Sequence, residues 1–424
     1  MLRCPGHLGM LVPSMRHLAI AVTVLLAGCT GLNAAFQDDG SGTDSGDGSA
    51  SGGTGGTSET SQADDGGTKT TAGTGAVSTS GAEESGDTSS MPSDLPPSTE
   101  GFHVPIAFHP REEPLENFVA RAKIEAPYLE GVPLEELDFR YPDTEQPVPF
   151  EVIEYDPEVG LFDAWVLLDT WGDEGPTVVE LVVGFPRVPP QSPWVDFQHV
   201  WHLDGDGLVD VAGPSSGEYS GYVQREGIEE GIVGASRAFD GADDVAAVSG
   251  LTDPSMTFAV YGWARIDADP DDEVPLFARN AGPPHEESAE DNDVDWAITV
   301  DENGDVRALL RTISGVVMPT ATQVVKDDGW HHYGLSVQSN VLWFYIDGYQ
   351  TYAIFSALPI NAFASTLSMA GWSGETAAGD PLFHGELDEV MLTYRELPQT
   401  WMLAVYDNQV VPEGTYTVGA PVPE

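Results

Sequence analysis

The chain has 424 residues, in which 69 acidic side chains face 16 basic ones and give a formal net charge of −53. This charge repels phosphate, so we expect no nucleic-acid partner and no binding to anionic lipids through charge. There are two cysteines, Cys4 and Cys29, and Cys4 falls in a segment that is predicted to be removed. No disulfide is then possible within the mature chain, which must rely on packed cores.

The first residues are typical of a secretory signal. Basic residues precede the apolar run Leu18–Leu26, and the small residues of Ala27–Cys29 follow it. Roughly nine apolar residues are too few to span a bilayer, which needs about 20. Residues 1–28 are therefore predicted to be a cleaved signal, with translation beginning at Met1 or Met15.

The end of this signal carries a more specific pattern. Leu26-Ala27-Gly28-Cys29 resembles the lipobox of bacterial lipoproteins. That resemblance implies that Cys29 receives a diacylglyceryl group, becomes the mature N-terminus and holds the protein in a membrane. Because Thr30 rather than aspartate follows the cysteine, the resemblance also implies the outer membrane of a Gram-negative bacterium, with the protein facing the cell surface or the periplasm.

The segment 29–100 consists largely of Gly, Ser, Thr, Asp and Glu without apolar periodicity. Such a composition buries too little apolar surface to offset the entropy lost on ordering, so the segment is predicted to be a disordered linker. A flexible chain of about 70 residues has a root-mean-square span of roughly 45 to 50 Å. The linker therefore gives the folded part reach from the membrane.

Residues 101–190 are predicted to form a small β-sandwich domain. Short runs rich in β-branched and aromatic residues alternate there with Gly, Pro and Asp clusters, as in all-β proteins. The proline-rich stretch Pro186–Pro193 marks the end of the domain. The predicted strands are Phe118–Ile124, Phe150–Tyr155, Phe162–Leu168 and Val178–Val183.

Four short motifs characterise this domain, namely Leu137–Arg140, Pro149–Glu154, Ala164–Val166 and Val182–Gly184. With these motifs the domain resembles the domain-of-unknown-function family numbered 2341, which supplies no established activity. Three polar residues of the strands, Arg140, Glu151 and Glu154, are interpreted as a solvated face rather than as a site.

Four motifs follow one another within residues 196–410. They are Gly234–Gly241 with Asp244-Val245, Ser255–Ala264, Gly329–Tyr333 with Leu342–Gly348, and Phe383–Tyr394. Their order resembles that of laminin-G-like, concanavalin-A-like jelly rolls. Two turns support the same architecture independently, because Asn303-Gly304 and Asp347-Gly348 each join two β-rich runs.

The predicted fold class is therefore all-β. It consists of a concanavalin-A-like jelly-roll β-sandwich, preceded by a smaller β-sandwich domain and a disordered N-terminal linker. Residues 411–424 are predicted to be a C-terminal tail. Trp263, Phe258 and Trp330 are predicted to lie in the core of the jelly roll.

Concanavalin-A-like folds also host glycoside hydrolases, which need two suitably placed carboxylates. Strand alternation places Glu386 and Asp388 on one face, but Val390 occupies the position of a third acid. Adjacent His331 and His332 point to opposite faces of a strand, so they cannot converge on one metal. We therefore expect no enzyme activity, with a polysaccharide-acting hydrolase as the alternative.

The laminin-G resemblance implies one structural cation, Ca²⁺, at the aspartate of the last-strand motif, which is Asp388. Asp204 and Asp206 lie where the first strand of the domain ends, and they are candidate partners. Calcium takes about six to eight oxygen ligands. The alternative for Asp204 and Asp206 is an ordinary surface turn.

The sequence thus predicts a lipid-anchored surface protein that displays a laminin-G-like domain for binding glycan or protein outside the cell. This expectation rests on analogy of fold, and fold alone does not fix function. A purely structural envelope lipoprotein is the third possibility, beside the hydrolase.

Overall fold

The computed structural model describes residues 101–423 except 173, 186–190, 228–230, 252–256, 282–293, 313–314, 318–328, 339–340, 356–365 and 375–380. The predicted signal, Cys29 and the linker lie outside the described residues, as do Ser255 and Met256 of the second jelly-roll motif.

Strands dominate the described residues, and the strands of the first domain are followed by those of the jelly roll. The first domain contains β1 (Phe102–Phe108), β2 (Leu115–Glu125), β3 (Leu137–Arg140), β4 (Phe150–Asp156), β5 (Leu161–Trp171) and β6 (Thr177–Val183). The jelly roll begins with β7 (His199–Trp201), β8 (Glu218–Ser220), β9 (Gln224–Arg225), β10 (Arg237–Asp240), β11 (Val245–Val248), β12 (Thr257–Ile266), β13 (Val274–Asn280) and β14 (Val294–Val300). It continues with β15 (Val306–Thr312), β16 (Gly315–Val317), β17 (Trp330–Gln338), β18 (Val341–Ile346), β19 (Tyr349–Phe355), β20 (Thr366–Met369) and β21 (His384–Thr393). The chain then forms the helix α1 (Gln399–Val410), β22 (Tyr416–Val418) and β23 (Val422–Pro423).

The first domain is a sandwich of two antiparallel sheets. One has the order β22-β1-β6-β3, with β23 also paired to β1, and the other has the order β2-β5-β4. Alternate residues of β1, namely Val104, Ile106 and Phe108, point inward and are buried. The four strands predicted from sequence lie within β2, β4, β5 and β6, and the all-β prediction is confirmed.

The jelly roll packs two large sheets face to face. The first has the order β19-β18-β17-β12-β21-β10-β9, with β7 paired to β21, and the second has the order β16-β15-β14-β13-β20-β11-β8. Aromatic and branched side chains fill the space between them, among them Trp201, Phe277, Trp296, Tyr333 and Phe383. This is the sandwich that the order of motifs predicted.

Both predicted hairpins are present. Asp347 and Gly348 adopt φ angles of 52° and 76°, as a two-residue turn of type I′ requires, and they join β18 to β19. Gly304 joins β14 to β15, where Trp296 pairs with Leu310. Phe258 and Trp263 are buried as predicted, whereas Trp330 is half-buried because it starts a strand at the domain's end.

The two domains share one hydrophobic core, since buried residues of both belong to one cluster and the described residues fall in a single compact unit. The core of the small domain continues into Tyr261 and Met391 on the outer face of the first jelly-roll sheet. Helix α1 fills the junction: Trp401 lies against Phe118 with ring centroids 4.9 Å apart, and the Trp263 indole donates to Gln409 over 2.5 Å.

The segment predicted as a tail returns to the small domain. There β22 pairs with β1, with Phe108 opposite Tyr416. The free edge of β2 is also closed by this segment and by α1: Asn408 accepts from the Arg121 amide and donates to its carbonyl. Tyr416 does the same for Lys123, accepting from the amide over 2.8 Å and donating to the carbonyl over 2.5 Å. Two side chains thus take the place of a neighbouring strand.

Among the described residues, no helix is both long and apolar enough to cross a membrane.

Replacing Tyr416 by Phe should destabilise the fold. The ring contact with Phe108 survives, but the amide and carbonyl of Lys123 lose their shared partner. Leaving such groups unsatisfied costs about 1–3 kcal/mol, measurable by urea unfolding of the mature chain. Tyr349→Phe is the matched control, because Tyr349 is 58% exposed and should show no change. Equal stability of the two variants would contradict this role of the Tyr416 hydroxyl.

Candidate functional site

One end of the jelly roll carries three carboxylates beside an exposed aromatic ring. Asp240 ends β10, and Asp243 and Asp244 lead into β11. Each of the three aspartates has a carboxylate oxygen within 4.8 Å of an oxygen of the other two. Among the described residues, this is a group of side chains spaced closely enough to hold a metal ion. Tyr222, 79% exposed, follows β8 at the same end of the domain. We call Tyr222, Asp240, Asp243 and Asp244 the rim surface.

The turns of the chain build the rim surface. Asp240 accepts from the amide of Ala242 over 2.8 Å, and Asp244 accepts from the amide of Asp240 over 3.1 Å. Gly221 has a φ angle of 78°, and a Cβ atom there would lie 2.2 Å from Asp244 Oδ1. Only glycine therefore allows the backbone before Tyr222 to approach Asp244. Burial, together with the charges of Asp240 and Asp243, raises the pKa of Asp244.

Asp240 and Asp244 belong to a sequence motif that indicates the fold and predicts no binding role for them. Their spacing on the two sides of a tight turn is the sequence feature that could have indicated such a role. No feature of the sequence indicates that Tyr222 is exposed, because its exposure depends on the pairing of β8 with β11.

The three residues predicted to hold calcium do not come together. Asp388 is fully buried in β21, and its Oδ2 accepts from the amides of Ile232 and Val233 over 2.9 and 3.0 Å. Asp204 is half-buried and Asp206 is exposed, both in the bends after β7. Among the described residues, no three acidic or histidine ligand atoms within 4.8 Å of one another include any of these three. The structure therefore does not bring Asp388, Asp204 and Asp206 together as three ligands of one ion, and calcium binding stays a prediction.

Glu386 and Asp388 are both inaccessible. Glu386 is 4% exposed, accepts from the Ser236 hydroxyl over 2.6 Å and forms an ion pair with Arg265. Burial raises the pKa of Glu386 and also that of Asp388, the latter well above its usual value. A sugar bound at the surface of this sheet would reach neither carboxylate.

His331 and His332 point to opposite faces of β17, as predicted. His331 is half-buried, and its Nδ1 lies 2.9 Å from Asp347 Oδ2. His332 is fully buried between the rings of Tyr261 and Trp263, at centroid distances of 5.3 and 5.1 Å. Burial lowers the pKa of His332 to about 4. The pair is structural, with a neutral imidazole inside.

Residues 239–401 match the Laminin_G_3 family model, described as the concanavalin A-like lectin/glucanases superfamily. This stretch is therefore a concanavalin A-like domain of laminin-G type. It begins at β10 and ends in the first turn of α1. The comparison with curated proteins gave no match.

Several solved structures are similar to this chain. The binding domain of botulinum neurotoxin serotype D is 14% identical with a TM-score of 0.39, over 51% of this chain and 53% of that domain's chain. Domain 4 of AbnA, an extracellular arabinanase from Geobacillus stearothermophilus in complex with arabinotriose, is 14% identical with a TM-score of 0.40, over 50% of this chain and 98% of that one. The binding domain of Paraclostridial Mosquitocidal Protein 1 is 13% identical with a TM-score of 0.40, over 50% of this chain and 52% of that domain's chain. The match thus spans about half the length of the two toxin chains.

His332 should make the fold sensitive to mild acid. Its folded pKa of about 4 lies below the ordinary 6.5, so its stabilising effect is complete above pH 6.5 and is lost as the pH falls toward 4. Between pH 6.5 and 5 the loss is about 2 kcal/mol. His332→Phe keeps an aromatic ring in this apolar site and should remove that part of the pH dependence, measured by urea unfolding. The exposed His384, changed to Gln, is the control; a His332→Phe curve parallel to wild type would contradict the assignment.

Proposed function

We propose that this chain is a lipid-anchored cell-surface protein whose concanavalin A-like domain binds glycans at the rim surface. One contrast supports this proposal. The acids of β21 that could serve hydrolysis are buried, whereas Tyr222 is exposed and follows Gly221, which lies against Asp243 and Asp244 of the carboxylate group. Binding residues on loops held by a rigid sandwich are common.

The chemistry of the rim surface suits sugars. A tyrosine ring offers an apolar face to the C–H face of a pyranose and a hydroxyl at its edge. Carboxylates accept hydrogen bonds from sugar hydroxyl groups, and such charged bonds are stronger than neutral ones. The net charge of −53 repels anionic glycans, so the favoured ligands are neutral sugars and amino sugars.

Hydrolysis is the competing function. Glycoside hydrolases place two carboxyl groups about 5–9.5 Å apart on either side of the scissile bond. The last-strand candidates, Glu386 and Asp388, are 4% and 0% exposed. Their burial favours binding over turnover.

The anchor and the linker complete the proposal. Lipid on Cys29 fixes the protein in the outer membrane, and the roughly 70-residue linker carries the domains away from it. A binding domain on such a tether searches a volume around its attachment point. A membrane partner through Cys29 and an extracellular glycan or protein ligand are therefore expected together.

A glycan array probed with the mature chain, carrying Cys29→Ser for solubility, tests the binding. We expect saturable binding to neutral or amino glycans and about a tenfold loss of affinity in Tyr222→Ala, equivalent to about 1.4 kcal/mol. Tyr349→Ala, which removes the other exposed tyrosine among the described residues, should bind as wild type.

Two results of the array would contradict the proposal. Equal binding by Tyr222→Ala and wild type would remove the rim surface as the site. Cleavage of a captured polysaccharide, lost in Glu386→Gln, would replace binding by hydrolysis.

Labelling cells that express the full chain with a fatty-acid analogue tests the anchor. We expect label on the wild-type protein and recovery in the outer-membrane fraction, because two or more acyl chains give stable attachment. Cys29→Ser should lose both, while Cys4→Ser should keep both. Membrane recovery of unlabelled Cys29→Ser would show that another feature holds the protein.

A further inference from the structure

Two buried acids lie side by side near the middle of β21. Asp388 and Glu389 are 0% and 1% exposed. The ladder with β12 shifts register opposite them, between Tyr261 and Trp263, and Glu389 has a φ angle of 51°. Such a backbone is uncommon for a residue other than glycine and persists only where its surroundings hold it. A carboxylate buried in this way either takes up a proton or is paired with a positive charge.

One compensating group is His202, which follows β7. Its Nδ1 lies 2.8 Å from both carboxylate oxygens of Glu389. Its Nε2 lies 3.7 Å from an oxygen of Glu151, on β4 of the small domain. The other oxygen of Glu151 accepts from the Trp194 indole over 2.5 Å. The imidazole thus stands between one acid from each domain.

The packing around His202 fixes this position. The ring is 8% exposed and is nearly parallel to Trp165 at a centroid distance of 6.2 Å, with Trp194 at 5.4 Å. The next residue, Leu203, has a φ angle of 64°, which is a strained conformation for leucine. Burial disfavours the charged ring, but Glu389 and Glu151 raise the pKa of His202 well above its usual value.

Arg121 lies close to the other acid, and both groups bond to the backbone of Ile232. It forms a bidentate pair with Asp163, with Nη2 2.7 Å from Oδ2, and its Nη1 donates to the Ile232 carbonyl over 2.8 Å. The amide of the same Ile232 donates to Asp388. The charges of Asp388 and Glu389 also raise the pKa of Arg121 against the effect of its burial. The charge of Asp204 also acts on Glu389 and raises the pKa of its carboxyl group.

We propose that His202 is the built-in cation of this jelly roll: it supplies positive charge beside the last strand and bridges Glu389 to Glu151 across the two domains. Two consequences follow. The Asp388–Glu389 segment of β21 needs no metal to fold, and the small domain is tied to the jelly roll by a partly buried charge contact in addition to apolar packing.

Thermal unfolding of the mature chain in Ca²⁺ and in EGTA tests the first consequence. We expect the calcium-induced shift in Tm to be the same in wild type and in Asp388→Asn, whatever the rim carboxylates contribute. We expect His202→Gln to lower Tm by several degrees in both buffers, without rescue by calcium. A calcium shift present in wild type and lost in Asp388→Asn would overturn the proposal.

A double-mutant comparison tests the bridge. Glu151→Gln should lower Tm in the wild-type background and do so by less than half as much in the His202→Gln background. Glu154→Gln, on the same strand β4, is the matched control and should have the same effect in both backgrounds. Equal effects of Glu151→Gln in both backgrounds would overturn the bridge. Should His202→Gln fail to fold, His202→Lys, which restores a cation at this position, should recover folding, and its failure to do so would also count against the proposal.

Discussion

The fold depends on the burial of one outer face of the jelly roll. The first sheet presents Tyr261, Tyr345 and Met391 away from its own core, and these side chains would be exposed if the domain stood alone. The small domain and α1 cover them, so that the two sandwiches share a single core. Each fully buried large side chain contributes about 1.5–3 kcal/mol, which makes this face a major source of stability. The arrangement also explains why the chain after the jelly roll returns to the small domain instead of ending as a tail.

The shared core also contains buried polar side chains, whose hydrogen-bond partners must all be present. Asn408 and Tyr416 satisfy the free edge of β2, His202 contacts Glu389 of β21, and Arg121 pairs with Asp163 of β5. Buried polar groups of this kind are costly when a partner is missing, which favours one relative position of the two domains. The same contacts remove the acids of the last strand from solvent. Binding chemistry is therefore left to the loops at the end of the domain, where Tyr222 and the rim carboxylates lie.

The local parts of the fold could be predicted from the sequence, and the long-range parts could not. Asp347-Gly348 was recognisable as a hairpin because the dipeptide itself prefers the φ angles of the turn. Helix α1 was not recognisable, because it buries Asn408 and Gln409 as well as apolar residues and so lacks a clean apolar stripe. Glu151 was interpreted as part of a solvated face, and it is in fact half-buried: it contacts Trp194 and His202, which come from a part of the chain that the strand pattern of β4 cannot reveal. The calcium ligands were inferred from resemblance, whereas His202 next to them had no assigned role.

Hydrogen exchange of the mature chain under increasing denaturant tests most directly whether the two sandwiches form one cooperative unit. We expect the most protected amides of β5 in the small domain and of β12 and β21 in the jelly roll to exchange through one global opening, with the same free energy and the same denaturant dependence. Exchange of β5 at a lower free energy, while β12 and β21 stay protected, would show that the small domain unfolds independently and would contradict the account.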